Sequence, residues 1–198
     1  MDVIFLFALY IVLAVLGIAL VFNGIFYGAM YTRIDKKRLK KIMELGKLKP
    51  SMTVYDLGSG FGRIMLEAAK SGATVVGYEI DPFKVGWINL QIEGKFHLHR
   101  LLIDGLTEGP LHNPYKFNPE MNRTSIVRQN LLNADLSKAD VVYCYLAPDL
   151  MQKIGDKATK EMKPSSKIIT VEHKIVALHN HKYLVHNDPI DKIYVYRF

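Results

Sequence analysis

The chain has 198 residues, of which 49% are apolar and 23% charged, with a single cysteine and a formal net charge of +7. That length holds one domain plus whatever its ends carry, and leaves no room for two enzymatic domains. Cys144 alone can form neither an internal disulfide nor the set of thiolates of a structural zinc site, which excludes a disulfide-stapled secreted fold. Residues 33–49 hold eight Lys/Arg against two acids, so a net +6 sits in that one segment. The basic balance therefore does not describe a nucleic-acid-binding face, and no nucleic-acid partner is expected.

From Val3 to Phe22 twenty residues pass without a charge, and none appears before Arg33. At a rise of about 1.5 Å per residue this run spans about 30 Å, the thickness of a bilayer core. A cleaved signal peptide would have a basic start and a shorter apolar run, whereas Asp2 stands here. The expectation is one N-terminal transmembrane helix within residues 1–31, with the lipid bilayer as partner. Arg33, Lys36, Lys37, Arg38, Lys40 and Lys41 follow at once, which places the rest of the chain on the cytoplasmic face of a single-pass membrane protein. The same cluster offers contacts to anionic headgroups. Leu39, Ile42 and Met43 recur at helical spacing, so residues 32–50 read as a basic amphipathic linker helix ending near Gly46. Lys49-Pro50-Ser51 breaks it before a domain over 51–198.

Residues 53–62, TVYDLGSGFG, form a β-prone run that ends in Asp56 and then glycines at 58, 60 and 62. Arg63 to Lys70 is helical in character and is closed by Gly72. Strand, glycine turn and helix N-terminus together suit a nucleotide-like cofactor, because glycines let backbone N–H groups approach a ligand closely. The next strand, ATVVGYEID, ends at Glu79, 23 residues after Asp56, where an acid can accept both hydroxyls of a ribose. Asp81-Pro82 supplies an N-cap and a first-turn proline for the following helix. A dinucleotide fingerprint beginning at Gly58 would need glycine where Arg63 stands, and no Gly-Lys-Ser/Thr exists for a phosphate-binding P-loop.

The pattern D-x-G-x-G-x-G resembles motif I of the class I S-adenosylmethionine-dependent methyltransferases. The stretch from Val54 to Val85 is similar, more narrowly, to the small archaeal protein-lysine methyltransferases and their membrane-anchored mitochondrial relatives. The likeness covers roughly residues 34–93 and 126–198. It implies S-adenosyl-L-methionine as cofactor, with Asp56, Gly58, Ser59, Gly60 and Gly62 around its methionine part and Glu79 on its ribose. It sets Asn130 and Leu131 beside the adenine, and Tyr145, Leu146 and Pro148 in the post-strand motif where the methyl emerges. Tyr145 and Pro148 are thus the candidate catalytic residues. Relatives carry an acid between the last two glycines, where this chain has Phe61. Residues 94–125 match nothing, and their Gly-Pro and Asn-Pro pairs read as a loop insertion.

The remaining chain reads as a helix over Pro148–Met162, a strand in SKIITVEHKI and a closing hairpin from YLVHN and KIYVYRF. Seven strands result. The expected fold is α/β, a seven-stranded Rossmann-like methyltransferase sheet with helices on both faces, and the family resemblance implies that it is mostly parallel with an antiparallel last strand.

Methyl transfer from a sulfonium is an in-line displacement, so the protein needs to align a neutral nucleophile and exclude water, without a metal. A lysine must first lose its proton, which a low-dielectric aromatic mouth favours; Tyr143 or Tyr145 could line it, or pack in the core. His97 with His99 and His179 with His181 do not amount to a metal-ligand set. Cys144 lies in an apolar strand and is read as inert. The leading reading is a membrane-anchored protein-lysine methyltransferase acting on a membrane protein. The alternatives are a methyltransferase for a membrane-dissolved lipid or quinone, and a non-catalytic cofactor-binding membrane scaffold.

Overall fold

The computed structural model describes residues 3–26, 32–93 and 123–198. The chain divides into two units, Met1–Thr32 and Arg33–Phe198. The first is helix α1 (Val3–Phe26), whose described side chains, among them Phe5, Leu9 and Leu13, are mostly exposed. Among the described residues no helix is long and apolar enough to cross a membrane. The transmembrane anchor expected from the sequence is therefore not supported there.

The second unit opens with α2 (Lys36–Gly46) and alternates strands and helices: β1 (Thr53–Leu57), α3 (Arg63–Ala69), β2 (Thr74–Glu79), α4 (Pro82–Ile92), β3 (Thr124–Arg128), β4 (Val141–Cys144), α5 (Pro148–Glu161), β5 (Lys167–Val171), β6 (Leu184–Asp188) and β7 (Ile193–Arg197). The sheet order is β3-β2-β1-β4-β5-β7-β6. Strands β1 to β5 run parallel, and β7 is antiparallel to both β5 and β6. The order reverses between β1 and β4, and the crevice at such a reversal, beyond the carboxyl ends of the strands, is where open α/β sheets bind ligands. The expected insertion 94–125 lies largely outside the described residues, but its last two positions belong to β3, which starts at Thr124.

Alternation along the strands builds a core on each side of the sheet. Val54, Val75, Val141 and Ile169 face one way, against Leu39 and Ile42 of α2, Met65 and Leu66 of α3, and Ile88 of α4. Tyr55, Tyr78, Val142 and Ile168 face the other, against Met151, Ile154 and Ala158 of α5. Asp81 caps α4 as the sequence suggests, its carboxylate accepting from the Phe83 amide at 2.9 Å.

Helix α2 is not a free linker. It runs antiparallel to the parallel strands: the Leu45 and Gly46 carbonyls at its end accept from Lys167 Nζ at 3.0 and 2.8 Å, at the start of β5, while Arg38 in its first turns reaches Glu172 just beyond the end of β5. Four of the six basic residues expected to meet headgroups are engaged within the domain. Lys37 pairs with Asp191, Lys41 with Asp188 and Asp191, Arg38 with Asp35 and Glu172, and Lys40 with Glu44 one turn along its own helix. Lys36 and Lys40 remain exposed.

Gly46 has a different role from the one its place near the helix end suggests. The left-handed C-cap is Lys47, at φ 50°, while Gly46 clears space for the buried Tyr143 hydroxyl, which would stand 2.1 Å from a Cβ added there. That hydroxyl donates to the Ile42 carbonyl at 3.2 Å. Gly46→Ala is expected to cost about 1–3 kcal/mol by overpacking. Most of that loss should disappear in a Tyr143→Phe background, read as a non-additive double-mutant cycle in urea unfolding.

Candidate active site

The glycine turn leaves the end of β1 at the switch point and enters α3 through Gly62. Gly58, Gly60 and Gly62 have φ of 77°, 56° and 81°, the left-handed region that disfavours side chains. The turn is tied to the neighbouring strand, since the amides of Gly58 and Ser59 both donate to the Tyr78 carbonyl, at 2.9 and 3.0 Å. Ser59 Oγ donates to the Asp56 carbonyl at 2.9 Å, so this hydroxyl holds the turn. A Cβ at Gly58 would lie 2.5 Å from Leu146 Cδ2 and 3.7 Å from Leu131 Cδ2. Three residues singled out in the sequence, from the ends of three strands, thereby converge on one bare stretch of backbone.

Glu79 is buried at the end of β2. Its Oε2 accepts from the Gly60 amide at 2.8 Å, and its Oε1 accepts from the amides of Ile80 and Asp81 at 2.9 and 3.0 Å. A carboxylate has roughly four lone-pair sites. One ribose hydroxyl can be accepted with all three bonds kept, and a second only if an amide such as that of Gly60 turns away.

Asp56 is the cap that α3 lacks. Gly62 has no side chain to cap the helix, and Asp56 Oδ2 accepts from the Met65 amide at 3.1 Å instead. Burial raises the Asp56 carboxyl to about 7, the Met65 amide opposes this, and the charge of Glu79 adds to it.

Asn130 uses its side-chain oxygen on its own chain, accepting from the Leu132 amide at 3.0 Å to cap a short 3-10 turn over Leu131–Asn133. Its amide nitrogen is the group left for a base edge. Tyr143 packs in the core, where burial raises its phenol above the ordinary value. Tyr145 is half-buried directly after β4, with the Arg38 guanidinium 5.7 Å from its ring centre. Pro148 is exposed at the first turn of α5, where its fixed φ suits helix initiation. Cys144 is buried, and burial raises its thiol above the ordinary value, which matches an inert core residue. His179 Nδ1 lies 3.3 Å from the Tyr196 hydroxyl and packs among aromatic rings. His97 and His99 lie outside the described residues, and among the described ones no group of three or more His, Cys, Asp or Glu could hold a metal.

Two side chains at this edge carry no signal in the sequence. Arg38 sits in a basic run and Glu172 just after a strand, and only the fold brings them beside Tyr145. A nucleotide-like cofactor fits the residues present, because the positive-φ glycines expose backbone against Leu131 and Leu146 while Glu79 stands at the next strand end.

No family model matches the chain. It is 29% identical over 147 residues to a protein-lysine N-methyltransferase from Saccharolobus islandicus, covering 73% of this chain and 77% of that one. It is 26% identical over 133 residues to a Homo sapiens lysine N-methyltransferase that acts on an ATP synthase component, covering 67% of this chain and 47% of the human protein. Among solved structures, an RNA methyltransferase from Salinibacter ruber in complex with S-adenosyl-L-homocysteine matches with a TM-score of 0.61 at 24% identity, covering 84% of this chain and 92% of that one. At that identity the match speaks for the fold alone.

The Asp56 carboxyl has a testable consequence. Its folded value lies above the unfolded 3.8, so the folded chain holds this proton more tightly. The associated stability is complete below about pH 3.8 and is lost as pH rises to about 7. Asp56→Asn keeps an acceptor for the Met65 amide but cannot ionise. Between pH 5 and pH 8 its loss of unfolding free energy in urea should be smaller than the wild type's by about 2–3 kcal/mol.

Proposed function

We propose that this chain, a class I S-adenosylmethionine-dependent methyltransferase similar to the protein-lysine enzymes, transfers methyl groups to a lysine of a protein substrate. The observation that carries the reading is the convergence of the Gly58 turn, Leu131 and Leu146 at the switch point, joined to a likeness that covers most of an archaeal lysine methyltransferase.

Bound S-adenosyl-L-methionine would supply a sulfonium methyl to which a neutral amine can bond as the carbon–sulfur bond breaks, S-adenosylhomocysteine leaving as the neutral thioether and the methylated ammonium giving its proton to water. The bare backbone of the glycine turn, whose Gly58, Ser59, Gly60 and Gly62 amides are bonded within the fold, would enclose the methionine part together with Asp56, Glu79 would accept from the ribose, and Leu131 with the Asn130 amide nitrogen would flank the adenine. Tyr145 and Leu146 then form the mouth at the end of β4. A lysine amine of ordinary pKa ~10.4 is charged in water, and moving its tip into apolar and aromatic surroundings favours the neutral, nucleophilic form. Pro148 fixes the start of α5 behind that mouth.

A membrane tether goes with this activity. The charge-free run from Val3 to Thr32, the exposed apolar side chains of α1 and the basic residues that follow support attachment to a membrane, with the catalytic domain on the cytoplasmic side. Attachment would raise the effective concentration of targets in the same membrane.

Purified protein incubated with cell membranes and S-adenosylmethionine carrying a labelled methyl should place the label on methyl-lysine in a protein, located by peptide mass spectrometry. Label that follows extracted lipid or quinone, or that is removed by ribonuclease, would overturn the lysine assignment. Cofactor binding with no labelled product would point to a scaffold. The full chain reconstituted in vesicles should resist alkaline carbonate extraction, and release into the supernatant would overturn the spanning tether.

A further inference from the structure

We propose that Glu172 is the carboxylate that captures the ammonium of the incoming acceptor lysine, in competition with the chain's own Lys192. The inference rests on the reading that the chain methylates a protein lysine, and deepens it.

The cofactor residues take the ends of β1, β2 and β3, which leaves the ends of β4 and β5 for the acceptor. Cys144 pairs with Thr170, so Tyr145 lies level with Val171, and Glu172 stands one residue further toward the edge. Arg38 joins the two positions. Its guanidinium lies 5.7 Å from the Tyr145 ring centre, and its Nη1 donates to Glu172 Oε2 at 2.8 Å. Beside them runs a groove of about 400 Å³ lined by Asp35, Lys37, Arg38, Glu172, Ile190, Asp191 and Lys192. Ile190 is among the most exposed apolar side chains of the domain and offers the groove a surface for an aliphatic stem.

Glu172 is an unusual residue for this turn. Its φ is 70°, a left-handed backbone that glycine or asparagine would adopt more readily, and its amide donates to the Lys192 carbonyl at 2.8 Å. The other carboxylate oxygen, Oε1, accepts from Lys192 Nζ, and the two cations, Lys192 foremost, hold the Glu172 carboxyl below its ordinary range. An alkylammonium therefore already fits this position. The Lys192 side chain is 53% exposed while that of Glu172 is 27% exposed, so the lysine can swing into water at little cost. Exchange of one ammonium for another leaves the charge around Glu172 unchanged. A carboxylate stabilises the charged amine, so Glu172 serves capture and orientation, and the neutral amine forms when the tip moves on to Tyr145 and Leu146.

Glu172→Gln and Lys192→Met break the same ion pair, and a purely structural pair would make both variants shift acceptor binding in one direction. The capture role makes them diverge. With total cell protein as acceptor and saturating labelled S-adenosylmethionine, Glu172→Gln should raise the half-saturating acceptor concentration at least tenfold, and Lys192→Met should lower it about threefold. Both should bind S-adenosylhomocysteine within twofold of the wild type by calorimetry, and Glu172→Asp, which tests the carboxylate should the glutamine variant fail to fold, should stay within threefold of the wild type. Equal-direction shifts, with lysine methylation intact in the wild type, would overturn the capture role alone. A wild type that binds S-adenosylhomocysteine but labels no lysine would overturn the lysine reading and this inference with it.

Discussion

Two backbone amides, those of Gly58 and Ser59, donate to a single carbonyl, that of Tyr78, and the rest of the site follows from this convergence. To reach it, the chain leaving β1 must turn back onto the end of β2 within two residues, which requires left-handed backbone at Gly58. The turn then crosses so close to β2 that the strand itself must give way. A Cβ at Gly77 would lie 2.6 Å from Ser59 Oγ and 2.5 Å from Met65 Sδ. Gly77 weakens the strand as an isolated element, yet permits the close approach that lets the Gly60 amide reach the Glu79 carboxylate.

Helix α2 is part of the catalytic domain through its apolar face. Its ion pairs to the β6–β7 hairpin are conspicuous, but the Lys37 side chain is 74% exposed, and such pairs contribute about 0–1 kcal/mol each. Burial of Leu39 and Ile42 outweighs them, at about 1.5–3 kcal/mol for each such side chain. The apolar stripe fixes the helix on the sheet, and the charged residues set its orientation along the strands. Tyr143 locks the register by placing its hydroxyl under the Ile42 carbonyl in space that Gly46 leaves open.

What was legible in the sequence is what short-range physics determines. The strand, glycine turn and helix succession, the Asp81 cap with Pro82, and the closing hairpin are all local patterns, and the structure has them. Gly46, Gly77, Arg38 and Glu172 take their meaning from residues far along the chain, Glu172 lying 134 positions from its Arg38 partner. Asn130 shows the intermediate case, where the residue was legible as part of the site but its oxygen is spent on the adjacent turn. The apolar run at the start is plain in the sequence, but among the described residues no helix is long and apolar enough to cross a membrane.

The two acids of the site divide their work through their donors. Negative charge on Glu79 is met by three backbone amides, whereas Asp56 has the Met65 amide and an apolar enclosure. Burial therefore leaves Asp56 with a carboxyl near 7. At neutral pH its charge can be set by what lies beside it. A positively charged group brought against the turn would favour the ionised form, and the ionised carboxylate would strengthen its bond to the Met65 amide at the start of α3.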